Sequence, residues 1–162
     1  METLWAPWRA VYITKDKPEG ECIFCDKLKD DRDAENHLLA RRELCFVLLN
    51  IFPYNSGHLM VAPNRHVSDI TELTPEESLA LFHLTQEMVD LMRRVMGPHG
   101  FNIGINLGRV AGAGYPGHFH IHIVPRWDGD TSFMPVIGDV KVVSESLDRT
   151  YAKLKEALDA KK

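Results

Sequence analysis

The chain is 162 residues long and carries 19 Lys and Arg against 23 Asp and Glu, a formal charge of −4 with histidines neutral. That length suits one domain with a core large enough to need no disulfide staples. A composition of 44% apolar and 26% charged residues excludes disordered and fibrous classes, and mild acidity is a poor match for long nucleic acid, whose affinity comes largely from Lys/Arg–phosphate contacts. The histidine content is unusual: of eight, three (His118, His120 and His122) fall within five positions.

Three cysteines, an odd number, argue against a secreted disulfide scaffold. The opening Met1-Glu2-Thr3-Leu4-Trp5 has neither a basic start nor an apolar h-region. No apolar run approaches the ~20 residues that span a bilayer, so the cytoplasm is the expected compartment. No repeat or Gly/Ser linker divides the chain, which predicts a single domain over 1–162.

In chain order, residues 1–21, with Trp5, Trp8 and Tyr12, read as an arm lying over the domain. Cys22-Ile23-Phe24-Cys25 follows, then a charged stretch from Asp26 to Glu35 that reads as a short helix and loop. Glu43 to Leu49 is short and apolar, as a buried strand is. Pro53-Tyr54-Asn55-Ser56-Gly57 is a turn cluster, and His58 to Ala62 a second strand ended by Pro63.

Thr74-Pro75-Glu76-Glu77 is a capping box with Pro at N1. Leu81, Leu84, Met88, Leu91, Met92 and Val95 then recur at helical spacing until Gly97-Pro98 stops the helix. His83 inside it reads as an ordinary surface or packing residue. Phe101 to Leu107 predicts a strand running into a glycine-rich loop, Gly108 to Gly117, and His118 to Pro125 alternates as a further strand. Leu147, Tyr151, Leu154 and Leu158 mark a last amphipathic helix capped by Ser144 or Ser146, within a C-terminal extension over 128–162. Together these elements predict an α+β domain on an antiparallel sheet.

On a strand, residues i, i+2 and i+4 share one face at ~6–7 Å spacing. His118, His120 and His122 therefore project together, with Phe119, Ile121 and Ile123 toward the core. A solvated polar face is the plain alternative, but such faces usually carry Thr, Lys, Glu or Ser. Two chemistries fit better. One is metal ligation by neighbouring imidazoles. The other is nucleophilic catalysis by a neutral imidazole, with flanking histidines binding phosphate oxygens or protonating a leaving group. The nearly side-chain-free Ala111-Gly112-Ala113-Gly114 favours phosphate, because backbone N–H groups there can approach an anion closely.

The run His118-Phe119-His120-Ile121-His122-Ile123-Val124 resembles the signature of the histidine triad superfamily of nucleotide hydrolases and transferases. Cys22-Ile23-Phe24-Cys25 is similar to the cysteine pair of its zinc-carrying members. The stretch from Asn55 to His66 resembles the family's Gly-His-strand-Pro-x-x-His segment, and Asn102 to Gly108 its strand before the phosphate loop. Leu4 to Arg9 and Pro125 to Val136 look like the bacterial diadenosine tetraphosphate phosphorylase and hydrolase-like branch.

The resemblance implies a histidine triad fold: a five-stranded antiparallel sheet with one long helix and a C-terminal helix. It implies that His120 attacks the α-phosphorus to form a nucleotidyl-histidine, that His122 binds the α-phosphate and assists the leaving group, and that His58 completes the site. Asn50 matches a ribose-binding position and Asn106 a phosphate-proximal one. Cys22, Cys25, His66 and His118 would form a structural zinc site, a sensible closed Cys₂His₂ set, while Cys45 reads as a core residue. The family's usual Gly-Gln-Ser or Gly-Gln-Thr is replaced here by Gly112 to Gly117, which leaves phosphate contacts to backbone N–H groups, including those of Gly112 and Gly114, and to Tyr115. Arg126 and Trp127 are candidates for polyphosphate or base contacts, or else a strand-end Arg and a packing Trp. Relatives form homodimers through the long helix and a sheet edge.

The expected activity is therefore cleavage of a dinucleoside polyphosphate, diadenosine tetraphosphate first, with adenosine phosphoramidate or acyl adenylate as alternative substrates. Two other classes remain open from sequence: a metal-dependent enzyme that uses His118 and His120 as ligands, and a non-catalytic nucleotide-binding module.

Overall fold

The computed structural model describes residues 22–130 and 144–160; the arm over 1–21 and the Thr131 to Val136 motif lie outside them. In chain order the elements are α1 (Ile23–Lys29), β1 (Leu38–Arg41), β2 (Cys45–Leu49), β3 (Leu59–Pro63), a 3₁₀ turn (Ile70–Glu72), α2 (Pro75–Met96), β4 (Gly100–Ile105), β5 (Ile121–Arg126) and α3 (Leu147–Asp159). The strands form one antiparallel sheet in the order β1-β2-β3-β5-β4. No helix among the described residues is long and apolar enough to cross a membrane.

β2 is buried along its whole length because it is covered on both faces. The two-residue period of a strand sorts its side chains. Cys45, Val47 and Leu49, with Leu59, Val61 and Ile123, pack under α2 and α3. Phe46 and Leu48, with Met60 and Ala62, pack under Phe24 of α1. Ile123 pairs with Leu59 and His122 with Met60, so His122 falls on the α1 face, opposite the helical layer.

α2 begins at Thr74, whose hydroxyl accepts from the Glu77 N–H while the Glu77 carboxylate accepts from the Thr74 N–H. Gly97, with φ 58°, ends it in the left-handed conformation that a glycine tolerates. α3 takes Ser146 as its cap, deciding between the two candidate serines. Leu154 and Leu158 enter the main core, so the C-terminal helix is an integral part of the domain. It also covers the outer edge of β1: the Tyr151 hydroxyl and the Lys155 ammonium donate to the Leu38 and Leu39 carbonyls. The other edge strand, β4, leaves Ile103 and Ile105 exposed.

Among the differences from the sequence reading, three bear on the site. α1 starts at Ile23 rather than Asp26, with Cys22 as its cap, because the Cys22 sulfur accepts from the Cys25 N–H. β1 adds a fifth strand that the reading placed in no element; its backbone follows His37 at φ 53° and has a register shift between Leu38 and Ala40. β5 begins at Ile121, three residues later than expected. Ahead of it the Phe119 N–H donates to the Val67 carbonyl outside any ladder, which frees the backbone at His118 to turn toward α1.

Candidate functional site

All three triad histidines are buried, and they divide into two jobs. His118 faces the cysteines. Its Nε2 lies 2.9 Å from the Pro63 carbonyl, which only accepts, so Nε2 carries the proton and Nδ1 turns to Cys22 Sγ at 3.3 Å and Cys25 Sγ at 3.6 Å. His66 Nδ1 lies 3.4 Å from Cys25 Sγ. The donor atoms of Cys22, Cys25, His66 and His118 all lie within 4.8 Å of one another. A tetrahedral zinc with Zn–S of ~2.3 Å and Zn–N of ~2.0–2.1 Å would set sulfur–nitrogen edges of about 3.6 Å. The observed edges fit that set.

Burial opposes ionisation of Cys22, but hydrogen bonds with His118, the Cys25 N–H and Tyr115 outweigh it and lower its thiol to about 5. Cys25 is pushed up to about 11 by burial and by its bond to, and the charge of, Cys22. One sulfur of the pair is thus readied as a thiolate ligand. Cys45 is a core residue, as expected, and burial raises its thiol.

His120 faces the other way. Its Nδ1 donates to the His118 carbonyl at 2.8 Å, which fixes the tautomer and leaves the lone pair on Nε2. Burial lowers its basicity, the bond to His118 opposes that, and the charge of His118 adds to it; the balance lies below the ordinary histidine value and favours the neutral, nucleophilic ring. His120 and His122 meet edge-to-face at 4.7 Å between centroids. This division disfavours a shared metal on His118 and His120, since one presents Nδ1 to the cysteines while the other spends Nδ1 on the backbone.

His58, fully buried just before β3, lies with Nε2 2.9 Å from His122 Nδ1. The Tyr54 N–H donates to His58 Nδ1 at 3.0 Å. That nitrogen therefore holds a lone pair, and neutral His58 gives its Nε2–H to His122, whose own proton then sits on Nε2. Asn50 sits behind this relay, with Nδ2 3.4 Å from His58 Nδ1 and Oδ1 accepting the Phe52 N–H. Its side chain is engaged in the β2–β3 turn. Asn106 Nδ2 donates to the Gly112 carbonyl at 3.5 Å, and it stands 3.5 Å from His122 Nε2 as a neighbour, since with the proton on Nε2 both groups are donors.

The loop departs from expectation at one glycine. The Gly112 N–H donates to the Arg109 carbonyl within the turn, so it serves the fold of the loop instead of presenting itself to an anion. Gly114 lies in the bend that follows. Tyr115 lies against Phe24, with centroids 6.0 Å apart, and bonds to Cys22; burial is the first cause raising its phenol. Arg126 is not gathered to the histidines. It forms a two-pronged ion pair with Asp130 and donates to Asn102 Oδ1, four residues and ~13 Å along β5 from His122.

Two site residues escaped the sequence reading. The Phe24 ring lies 5.0 Å from His118 and 4.9 Å from His120, bracing both. The Tyr54 ring lies 4.5 Å from His58 and 5.7 Å from His122. The available signals were an aromatic between two cysteines and an aromatic in the turn that leads to Gly57-His58.

The chain is 39% identical over 154 residues to a protein of Mycobacterium tuberculosis named AP-4-A phosphorylase, covering 91% of this chain and 79% of that protein. It is 36% identical over 92 residues to the asymmetrical bis(5'-nucleosyl)-tetraphosphatase of Schizosaccharomyces pombe, covering 57% and 50%. A zinc-bound histidine triad family protein from Mycobacterium smegmatis superposes with a TM-score of 0.70 at 28% identity, covering 88% of this chain and 98% of that one. The family model described as HIT domain matches residues 31–129, and with the triad geometry above this shows that the chain belongs to the HIT, or histidine triad, family.

Proposed function

We propose that this protein is a nucleotidyl transferase that cleaves dinucleoside polyphosphates, diadenosine tetraphosphate first among them, through a nucleotidyl-histidine intermediate. The observation that carries the reading is the neutral, oriented His120 beside a His122–His58 relay. Similarity to AP-4-A phosphorylase over most of the chain supports the substrate class.

In the first step the His120 Nε2 lone pair attacks the α-phosphorus. A P–N bond forms, the P–O bond to the next phosphate breaks, and the His122 Nε2–H gives its proton to the leaving oxygen. In the second step the oxygen of inorganic phosphate or water attacks the same phosphorus, its proton passes to the bare Nε2 of His122, the P–N bond breaks, and both His120 and His122 are restored. From diadenosine tetraphosphate the first product is ATP; the second is ADP with phosphate as acceptor and AMP with water. His58 keeps the transferable proton of His122 on Nε2, and Asn106 and the Gly108–Gly117 loop border the phosphates.

Cys22, Cys25, His66 and His118 would hold a structural zinc, which would tie α1 to the sheet and fix the carbonyl of His118 that orients His120. The exposed Ile103, Ile105 and Leu107 along the β4 edge suit a homodimer interface. The three cysteines are free, as a reducing compartment permits, and we place the enzyme in the cytoplasm.

The test is turnover of diadenosine tetraphosphate with and without inorganic phosphate. ATP with ADP under phosphate marks a phosphorylase, and ATP with AMP marks a hydrolase. Absence of both products overturns the reading.

A further inference from the structure

Cys22 is the cap of α1 and Cys25 its third residue, so one helical turn holds both sulfurs, and with the nitrogens of His66 and His118 these atoms lie within 4.8 Å of one another. Side chains three positions apart on a helix have Cβ atoms roughly 5–6 Å from each other, whereas a disulfide holds them at about 3.8 Å. Closing such a bond therefore tightens the first turn of α1. Cys22, extended at φ −122° and ψ 111°, is the end free to draw in.

The pair stands apart from the third thiol. Cys45 packs in the layer under α2 and α3, while Cys22 and Phe24 pack on the opposite face of the sheet. Among the described residues, Cys25 is half-buried and its neighbour His66 is exposed, so a small solute reaches the sulfurs from the His66 side.

A tightened first turn has a direct line to the nucleophile. Phe24 lies between the two cysteines, and its ring rests 5.0 Å from His118 and 4.9 Å from His120. His118 turns Nδ1 to the sulfurs and its own carbonyl to His120 Nδ1–H, at 2.8 Å. Drawing the sulfurs together moves Phe24 and takes from His118 its partners, and both motions loosen the groups that orient His120.

We propose that Cys22 and Cys25 are a modification site, a thiol pair that a peroxide converts reversibly to a disulfide, and that the disulfide slows nucleotidyl transfer by releasing His120 from its fixed orientation. Cys25, the more exposed, attacks hydrogen peroxide: an S–O bond forms, the O–O bond breaks, one water leaves, and a sulfenic acid remains. Cys22 Sγ then attacks that sulfur, an S–S bond forms, the S–O bond breaks, and a second water leaves. Two thiols and one peroxide thus give one disulfide and two waters, with two electrons passing from sulfur to oxygen. Neither sulfur of a disulfide is a thiolate ligand, so zinc held by the proposed set would be lost in the same event. A thiol reductant reverses the change by exchange. The inference rests on the zinc and nucleotidyl-transfer readings above, and its test separates them.

The full-length protein, reduced and loaded with zinc, is treated with hydrogen peroxide. The mass of the peptide holding Cys22 and Cys25, the zinc freed to a colorimetric chelator, and the turnover of diadenosine tetraphosphate are followed together. The expected result is loss of two hydrogens from that peptide, zinc release in step with it, and kcat lower by roughly tenfold or more, all restored by dithiothreitol with added zinc. Cys45→Ala should respond like the unaltered protein, and Cys25→Ser should show no reversible loss. A disulfide that leaves kcat unchanged, a loss that dithiothreitol does not restore, or the same reversible loss in Cys25→Ser overturns the switch. A reduced protein that takes up no zinc overturns the metal set, and one without turnover before oxidation overturns the transfer reading. In either case the imidazole N–H signal of His120 still decides: its weakening as the disulfide forms supports the coupling, and an unchanged signal overturns it.

Discussion

His58 Nε2 and His122 Nδ1 lie 2.9 Å apart, and the backbone N–H of Tyr54 fixes which of the two rings donates. A main-chain group thus determines, through two imidazoles, which nitrogen of His122 carries its proton.

If that proton goes to the leaving oxygen, replacing His58 matters most when the leaving group is poor. His58→Phe is expected to lower kcat by roughly 10²-fold on adenosine 5′-phosphoramidate, whose amine must leave protonated, within the usual range for general acid catalysis. An AMP ester of p-nitrophenol, whose leaving group needs no proton, should be spared. An equal loss on both substrates would show that His58 serves only to hold the fold.

Tyr115 bonds to Cys22 from the phosphate loop. Partners of this kind commonly tune metal affinity 10–100-fold. Tyr115→Phe should weaken zinc retention by about tenfold, read by chelator competition. Unchanged retention would confine Tyr115 to packing on Phe24.

Glu77 caps α2 while accepting both Nε–H and Nη2–H from Arg65, next to His66 of the proposed zinc set. The Arg65 bonds, opposed by burial, hold its carboxyl below the ordinary value. A lowered folded-state value means the stabilisation is present above the ~4.3 of an unfolded glutamate and is lost as pH falls through the folded one. Glu77→Gln should therefore cost about 1–2 kcal/mol at pH 7, and the difference from the unaltered protein should vanish in strong acid. Thermal melts across pH 3–8 measure it.

Gly57 precedes His58 with φ 81°, and a Cβ there would stand 2.8 Å from the Met96 methyl. The methionine end can move but the backbone angle cannot, so Gly57→Ala should lose about 1–2 kcal/mol in denaturant titration. No loss would show that the turn readily adopts another conformation.

The chemistry of this site was legible because it is local. Three histidines at two-residue spacing declare a shared face, and the capping box and apolar period of α2 declare their helix. What stayed hidden depends on contacts distant in sequence. β1 is four residues between His37 and Arg42 and becomes a strand only by pairing with β2 and receiving α3 on its edge. The division of labour between His118 and His120 rests on two carbonyls, of Pro63 and of His118 itself, that no motif displays. Arg126 read as a candidate polyphosphate or base contact, or else a strand-end Arg, because its partner Asp130 reaches it only through the turn after β5, where the Asp130 N–H donates to the Trp127 carbonyl.

The central claim is that His120 carries the nucleotide. Its most direct test mixes the protein with diadenosine tetraphosphate, quenches in alkali, where a phosphoramidate survives, and reads the mass of the intact chain and its peptides. The account predicts an adenylyl group on His120, with no such adduct and turnover lower by roughly 10³-fold or more in His120→Ala. Full turnover by His120→Ala, or an adenylyl group on another residue, would contradict it.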